Sequence, residues 1–177
     1  MNLANKLTFF RIILIPVFLL FVLSSMENAL IIACTVFILA SLTDFLDGYI
    51  ARKYDMVTNL GKFLDPMADK LLVTSAMVSL VELGMIPSWM VIVIISREFI
   101  VSIFRAVAAA EGIVIAASWW GKAKTVSQMI ALIVIMLSPL YQNMFDFNLG
   151  MILMWIATIL TIISGTDYII KNKHVLK

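Results

Sequence analysis

Residues 29–83 read ALIIACTVFILASLTDFLDGYIARKYDMVTNLGKFLDPMADKLLVTSAMVSLVEL, two long apolar runs that meet at a short polar break and carry Asp44, Asp47, Asp65 and Asp69 on its two sides. A bilayer core of ~30 Å is crossed by about 20 apolar residues as a helix, and each run is long enough. Outward from this pair the pattern repeats, with spans expected at about Leu7–Ser25, Ala29–Ile50, Leu60–Leu83, Pro87–Ala110, Trp119–Tyr141 and Leu149–Ile170. The expected fold is an all-α integral membrane protein, six transmembrane helices in one bundle, with residues 1–177 forming a single domain and both termini cytoplasmic. Six spans use most of the chain, so the chemistry has to happen in or at the bundle.

Composition agrees. Of 177 residues, 63% are hydrophobic and 14% charged, against roughly 45–50% and ~25% in a soluble domain, and the mean hydropathy is +1.06. A soluble domain, a disordered chain and a collagen-like repeat are all excluded. The one cysteine, Cys34, rules out an intrachain disulfide. A net charge of +2 is too small to point to nucleic acid. The first run has the look of a secretory signal, with Lys6 ahead of it and Ser24 and Ser25 behind. Arg11 interrupts it and five more spans follow, so a retained helix is expected.

Orientation follows from the basic residues. With both termini inside, the inner segments hold Lys6 and Arg11; Arg52, Lys53, Lys62 and Lys70; Arg97, Arg105, Lys122 and Lys124; and Lys171, Lys173 and Lys177, which is all 13. The outer connections near Glu27, Glu82 and Asp146 hold none. This is the positive-inside bias, and it makes the working face cytoplasmic, with the protein a multi-pass component of the cell membrane.

An ionisable group inside a span costs at least ~2.5–3.5 kcal/mol on the insertion scale. Asp44 and Asp47 are three apart, and Asp65 and Asp69 four apart, so each pair projects from one helix face. Counting eight residues from Arg52 back to Asp44 and eight from Gly61 forward to Asp69 puts both pairs about 12 Å in from the connecting loop. Four carboxylates can therefore converge, and two divalent cations would neutralise them. Oxygen-only ligands suit Mg²⁺ or Mn²⁺. Asp65 followed by Pro66 also reads as a helix cap with a first-turn proline.

Two-metal carboxylate sites displace at phosphorus, where the metals clamp attacking and leaving oxygens. Such a reaction needs cations for phosphate. Arg97 and Arg105 lie eight apart on span 4, nearly on one face, and Lys122 and Lys124 stand at the entrance of span 5. Snorkelling and topology-setting are the alternative roles for these residues. Glu98, at the depth of Arg97, either neutralises a neighbouring arginine or supports the site from behind. The pattern as a whole describes an enzyme acting on a phosphorylated lipid.

The stretch Asp44-x-x-Asp47-Gly48-x-x-Ala51-Arg52, then eight residues, then Gly61-x-x-x-Asp65-x-x-x-Asp69 resembles the complete signature of the CDP-alcohol phosphatidyltransferase family. Supporting stretches are Asn5-x-x-Thr8-x-x-Arg11, Ser96-Arg97-Glu98-Phe99 through Arg105, and Gly121-Lys122-Ala123-Lys124-Thr125; Ala4 stands where family members often carry proline. The resemblance implies transfer of the phosphatidyl group of CDP-diacylglycerol to sn-glycerol 3-phosphate, with CMP released, by a homodimer among membrane lipids. It implies metal ligation by Asp44, Asp47, Asp65 and Asp69, with Asp69 also the catalytic base. It implies CDP binding by Asn5, Thr8, Gly48, Ala51, Arg52, Gly61 and Lys62, and acceptor-phosphate binding by Arg97, Arg105, Lys122 and Lys124. Gly48 and Gly61 lack side chains, which lets a nucleotide approach the backbone, and Arg52 offers a fork-shaped donor to the diphosphate.

Two rival functions share these residues. A sibling enzyme would use the same donor with inositol phosphate, serine or phosphatidylglycerol as acceptor, a choice to which the carboxylates are blind. A cation transporter would bind its ion at the midplane on broken or repeated helices, whereas here the acids cluster toward one face and no inverted repeat is visible. His174, alone in a basic tail, is given no role, and Trp119-Trp120 is expected at the membrane interface.

Overall fold

The computed structural model describes the backbone of residues 3–53, 59–113, 115, 116, 118–141 and 147–172, and the side chains of these except 3–6, 45–53, 59–63, 65 and 66. Every regular element among the described residues is helical: α1 (Leu3–Val22), α2 (Ala29–Lys53), α3 (Asn59–Glu82), α4 (Ser88–Ala110), α5 (Trp119–Met136), α6 (Ser138–Tyr141) and α7 (Leu149–Asn172). The expected fifth span, Trp119–Tyr141, is broken at Leu137. Pro139 has no N–H to donate and its ring crowds the carbonyl four residues back, so α5 ends and one further turn, α6, follows. The connection near Tyr54–Asn59 and the tail with His174 lie largely outside the described residues.

By length and composition, α7 is the one described helix that is long and apolar enough to cross a membrane; the apolar parts of α1 and α2, Leu7–Val22 and Ala29–Asp44, are shorter. Large apolar side chains are exposed along the helices, among them Leu20, Leu39, Ile92, Ile103 and Ile162. A water-soluble chain buries such residues, whereas a lipid-facing one presents them.

The helices fall into two compact units, Met1–Leu83 with Met136–Phe145, and Gly84–Ile135 with Asp146–Lys177. In the first, α1 packs against both α2 and α3. Its buried stripe, Thr8, Arg11, Ile15, Phe18 and Val22, advances by three or four residues per step, the period of one helix face. Ala33, Phe37 and Ala40 on α2, and Ala68, Leu72, Ala76 and Leu80 on α3, are the buried counterparts. The alanines let backbones approach closely, which is how helices gain contact in a setting where lipid tails are as apolar as leucine. Phe18 meets Phe37 with ring centroids 6.1 Å apart, and Arg11 meets Asp44. As residue numbers fall on α1 they rise on α2, so the two helices are antiparallel.

In the second unit, α4 buries Met90, Ile94, Val101, Phe104 and Ala108, and α7 buries Gly150, Met154, Ala157, Thr161, Ser164 and Tyr168. Trp89 stacks near Trp155 at 5.1 Å and Phe104 meets Tyr168 edge-on at 5.8 Å. Both numbers climb together, so α4 and α7 run parallel. The hydroxyls of Thr158 and Thr161 donate to the carbonyls of Met154 and Ala157 one turn back, which satisfies them inside the apolar stripe. Gly84 and Gly112 end α3 and α4 at φ of +69° and +76°, a region open to glycine because it has no Cβ.

At Gly150, α7 comes close to α5: a Cβ there would lie 2.6 Å from Cγ1 and 3.1 Å from Cα of Ile135. Gly150→Ala is expected to destabilise the protein by about 1–3 kcal/mol, the usual range for overpacking, read as a lower melting midpoint in detergent. The loss should shrink on an Ile135→Ala background; an equal loss in both would place the cause elsewhere.

Candidate active site

The first unit carries the acids. Backbone geometry puts Asp44 and Asp47 in α2, and Asp65 and Asp69 in α3, the two helices on which their spacing had placed them. Because α3 starts at Asn59, Asp65 lies well inside the helix, and the capping role open to it in the sequence is excluded. The side chains of Asp47 and Asp65 lie outside the described residues, as do those of Asn5, Ala51, Arg52 and Lys62 and the surroundings of Gly48 and Gly61, all of which sit in helical backbone of α1, α2 or α3.

What the structure brings together is Arg11 and Asp44. Nη1 of Arg11 is 2.5 Å from Oδ1 of Asp44, with the arginine side chain fully buried and the aspartate side chain 40% exposed. Arg11 is inside because it shares a stripe with Ile15 and Phe18; the packing that buries those residues buries the guanidinium as well. Thr8, one turn earlier, is buried beside it on the same face. Asp69 is half-buried on α3. The sequence marked Arg11 as a topology signal and as part of a supporting motif, and gave no sign of its partner, since no spacing rule links a residue of α1 to one of α2.

Donor chemistry in this unit fits a hard divalent cation. The candidate ligands are carboxylates, and Asp44 keeps part of its side chain exposed while Oδ1 faces Arg11. Among the described residues no three histidine, cysteine or acidic side chains converge; the proposed set of four includes the two aspartates outside that description.

In the second unit the basic residues separate by environment. Lys124 is buried, with 2% of its side chain exposed, and its Nζ donates to Oε1 of Glu98. That excludes snorkelling for Lys124. Arg97, 13% exposed, places Nη1 3.4 Å from the same Oε1 and donates from Nη2 to Oγ of Ser164 at 2.5 Å. Its Nε is buried without a hydrogen-bond partner among the described residues, the kind of unsatisfied group that is rare in native folds. Arg105 is exposed, donates from Nε to the Tyr168 hydroxyl at 3.3 Å, and lies 5.6 Å from the centre of that ring. Lys122 is exposed on α5. Glu98 thus takes both roles considered for it, neutralising Arg97 and anchoring Lys124.

Ser164, Gly165 and Tyr168 were invisible as site residues in the sequence, because nothing in an apolar span distinguishes a hydroxyl that caps a guanidinium from one that bonds its own backbone. Asp167 pairs with Lys171 at 2.7 Å, one turn on.

Breaking a buried ion pair by removing one partner costs on the order of 3 kcal/mol. Without divalent metal, Asp44→Ala should lower the melting midpoint more than Arg11→Met, since the first takes a counter-charge away from a fully buried cation and the second leaves a carboxylate that water can reach. Equal midpoints for both variants and the parent would show that the pair has no structural weight.

Comparison with known proteins agrees with the residues. The family model for CDP-alcohol phosphatidyltransferases matches residues 1–163. The chain is 45% identical to a CDP-diacylglycerol–glycerol-3-phosphate 3-phosphatidyltransferase of Bacillus subtilis, over 99% of this chain and 97% of that one. It is 42% identical to the protein of the same name from Rickettsia bellii over 94% and 93%, and 40% identical to a probable phosphatidylglycerophosphate synthase of Mycobacterium tuberculosis over 96% and 81%. A filled eight-residue signature on α2 and α3, and similarity that runs through both compact units, establish that this chain belongs to the CDP-alcohol phosphatidyltransferase family.

Proposed function

We propose that the protein transfers the phosphatidyl group of CDP-diacylglycerol to sn-glycerol 3-phosphate, giving phosphatidylglycerophosphate and CMP. The observation that carries this is the unbroken signature from Asp44 to Asp69 in a chain 40–45% identical, over nearly its whole length, to relatives bearing that activity in their names. It is a multi-pass protein of the cell membrane with six spans in a single domain, cytoplasmic termini and a cytoplasm-facing site. The sorting of all 13 basic residues to one side, the antiparallel α1 and α2 and the parallel α4 and α7 support this topology. A homodimer follows from the family resemblance.

Asp44, Asp47, Asp65 and Asp69 are the ligands for two divalent cations, Mg²⁺ or Mn²⁺. Bound there, such cations would neutralise the diphosphate of the donor and the charge that builds on CMP as it leaves. Asn5, Thr8, Gly48, Ala51, Arg52, Gly61 and Lys62 hold the CDP group, and Arg97, Arg105, Lys122 and Lys124 the phosphate of the acceptor. Asp69 accepts the proton of the acceptor hydroxyl. The oxygen then bonds to the phosphorus that carries diacylglycerol, the phosphoanhydride bond to CMP breaks, and the proton leaves from Asp69.

Three measurements test this. Membranes containing the protein, given CDP-diacylglycerol and Mg²⁺, should release CMP with sn-glycerol 3-phosphate and not with serine, inositol phosphate or phosphatidylglycerol; the reverse pattern would overturn the acceptor. Asp69→Asn should lower CMP release by about 100-fold or more, the scale of a general base, with folding intact, and full activity in that variant would remove Asp69 as base. Arg97→Ala and Arg105→Ala should raise KM for glycerol phosphate while leaving that for the donor in place.

A further inference from the structure

Arg97 lies in a slot built by three helices of one unit. From α7, the Ser164 hydroxyl accepts from Nη2 at 2.5 Å, and a Cβ on the next residue, Gly165, would stand 3.1 Å from Arg97 Cγ. From α5, a Cβ on Gly121 would stand 3.5 Å from Nη2 and 3.3 Å from Oγ of Ser118, the same hydroxyl that accepts from the Gly121 N–H. On α4, Glu98 meets Nη1 and shares that one oxygen with the buried Lys124. The side chain is thus gripped along its stem by Gly165 and at its fork by Ser164 and Glu98.

Charge makes the grip consequential. Two buried or nearly buried cations, Arg97 and Lys124, meet the same carboxylate oxygen of Glu98. Ser164 adds a hydrogen bond and no charge. A carboxylate in its place would bring a negative charge to the guanidinium; a hydroxyl fixes the guanidinium and brings none. Ser164 itself is fully buried, so its influence on a ligand has to pass through Arg97.

We propose that Ser164 and Gly165 of α7 are positioning residues that aim Arg97 at the phosphate group of the acceptor, which makes α7 a determinant of acceptor affinity. This rests on the assignment of Arg97 to the acceptor phosphate. Ser164→Ala removes the hydroxyl with almost no change of shape. Gly165→Ala pushes the arginine stem and leaves the hydroxyl in place. The two variants disturb the same guanidinium by unrelated means.

The test is steady-state kinetics on the full-length protein in detergent with CDP-diacylglycerol, together with its melting midpoint with and without inorganic phosphate. Each variant should raise KM for sn-glycerol 3-phosphate about tenfold, the scale of one hydrogen bond to a charged group, with KM for CDP-diacylglycerol unchanged. On an Arg97→Ala background neither should add anything, because both act through that side chain. Inorganic phosphate should raise the melting midpoint of the parent and do so less in Ser164→Ala. A fall in kcat or midpoint with KM unchanged, or a KM rise that persists without Arg97, would overturn the proposal and leave these residues a packing role. If the parent makes no product from glycerol phosphate, the acceptor assignment fails by itself. A smaller phosphate-dependent stabilisation in Ser164→Ala would then still uphold the positioning of Arg97, and equal stabilisation would sink it.

Discussion

A charge buried among apolar helices has to be answered by another, because taking an ion out of water costs several kcal/mol even after the protein relaxes. Arg11 imposes this on the first unit. It sits on the stripe of α1 that also buries Ile15 and Phe18, so α1 cannot pack without bringing a guanidinium inside. Asp44 of α2 is the partner that meets it. The pair and the Phe18–Phe37 contact fix the register of the antiparallel helices at two points. One aspartate of the signature is therefore oriented by the fold before any ligand arrives, the preorganisation that a metal or phosphate site needs.

The same constraint shapes the second unit with a different outcome. Arg97 and Lys124 both lie on inward faces, and Glu98 answers the two of them with one oxygen. A hydroxyl, Ser164, completes the hydrogen bonding. That contact holds the guanidinium without adding a charge beside it. Arg105 is held otherwise, by the face and hydroxyl of Tyr168; being exposed, it is screened by solvent and contributes less per contact.

The helices were legible because each is a long apolar run bounded by polar, proline or glycine punctuation. All six long helices start within four residues of the expected spans, and the break at Leu137 follows from Pro139 once the proline is weighed against the apolar run around it. The placement of Asp44, Asp47, Asp65 and Asp69 on two helices was equally legible, as was the family, since eight residues at fixed spacing lie along the chain itself.

Partnerships across helices were not. Arg11 with Asp44, Lys124 with Glu98, Arg97 with Ser164 and Arg105 with Tyr168 join residues from 26 to 67 positions apart, or from different helices with no spacing rule between them. Sequence by itself determined what is local: the extent of each helix and the helix on which each acid and each arginine lies. Tertiary structure alone decided which buried charge answers which, because that depends on the rotation of each helix about its axis, and rotation is set by how alanines, glycines and aromatic rings of different helices fit together.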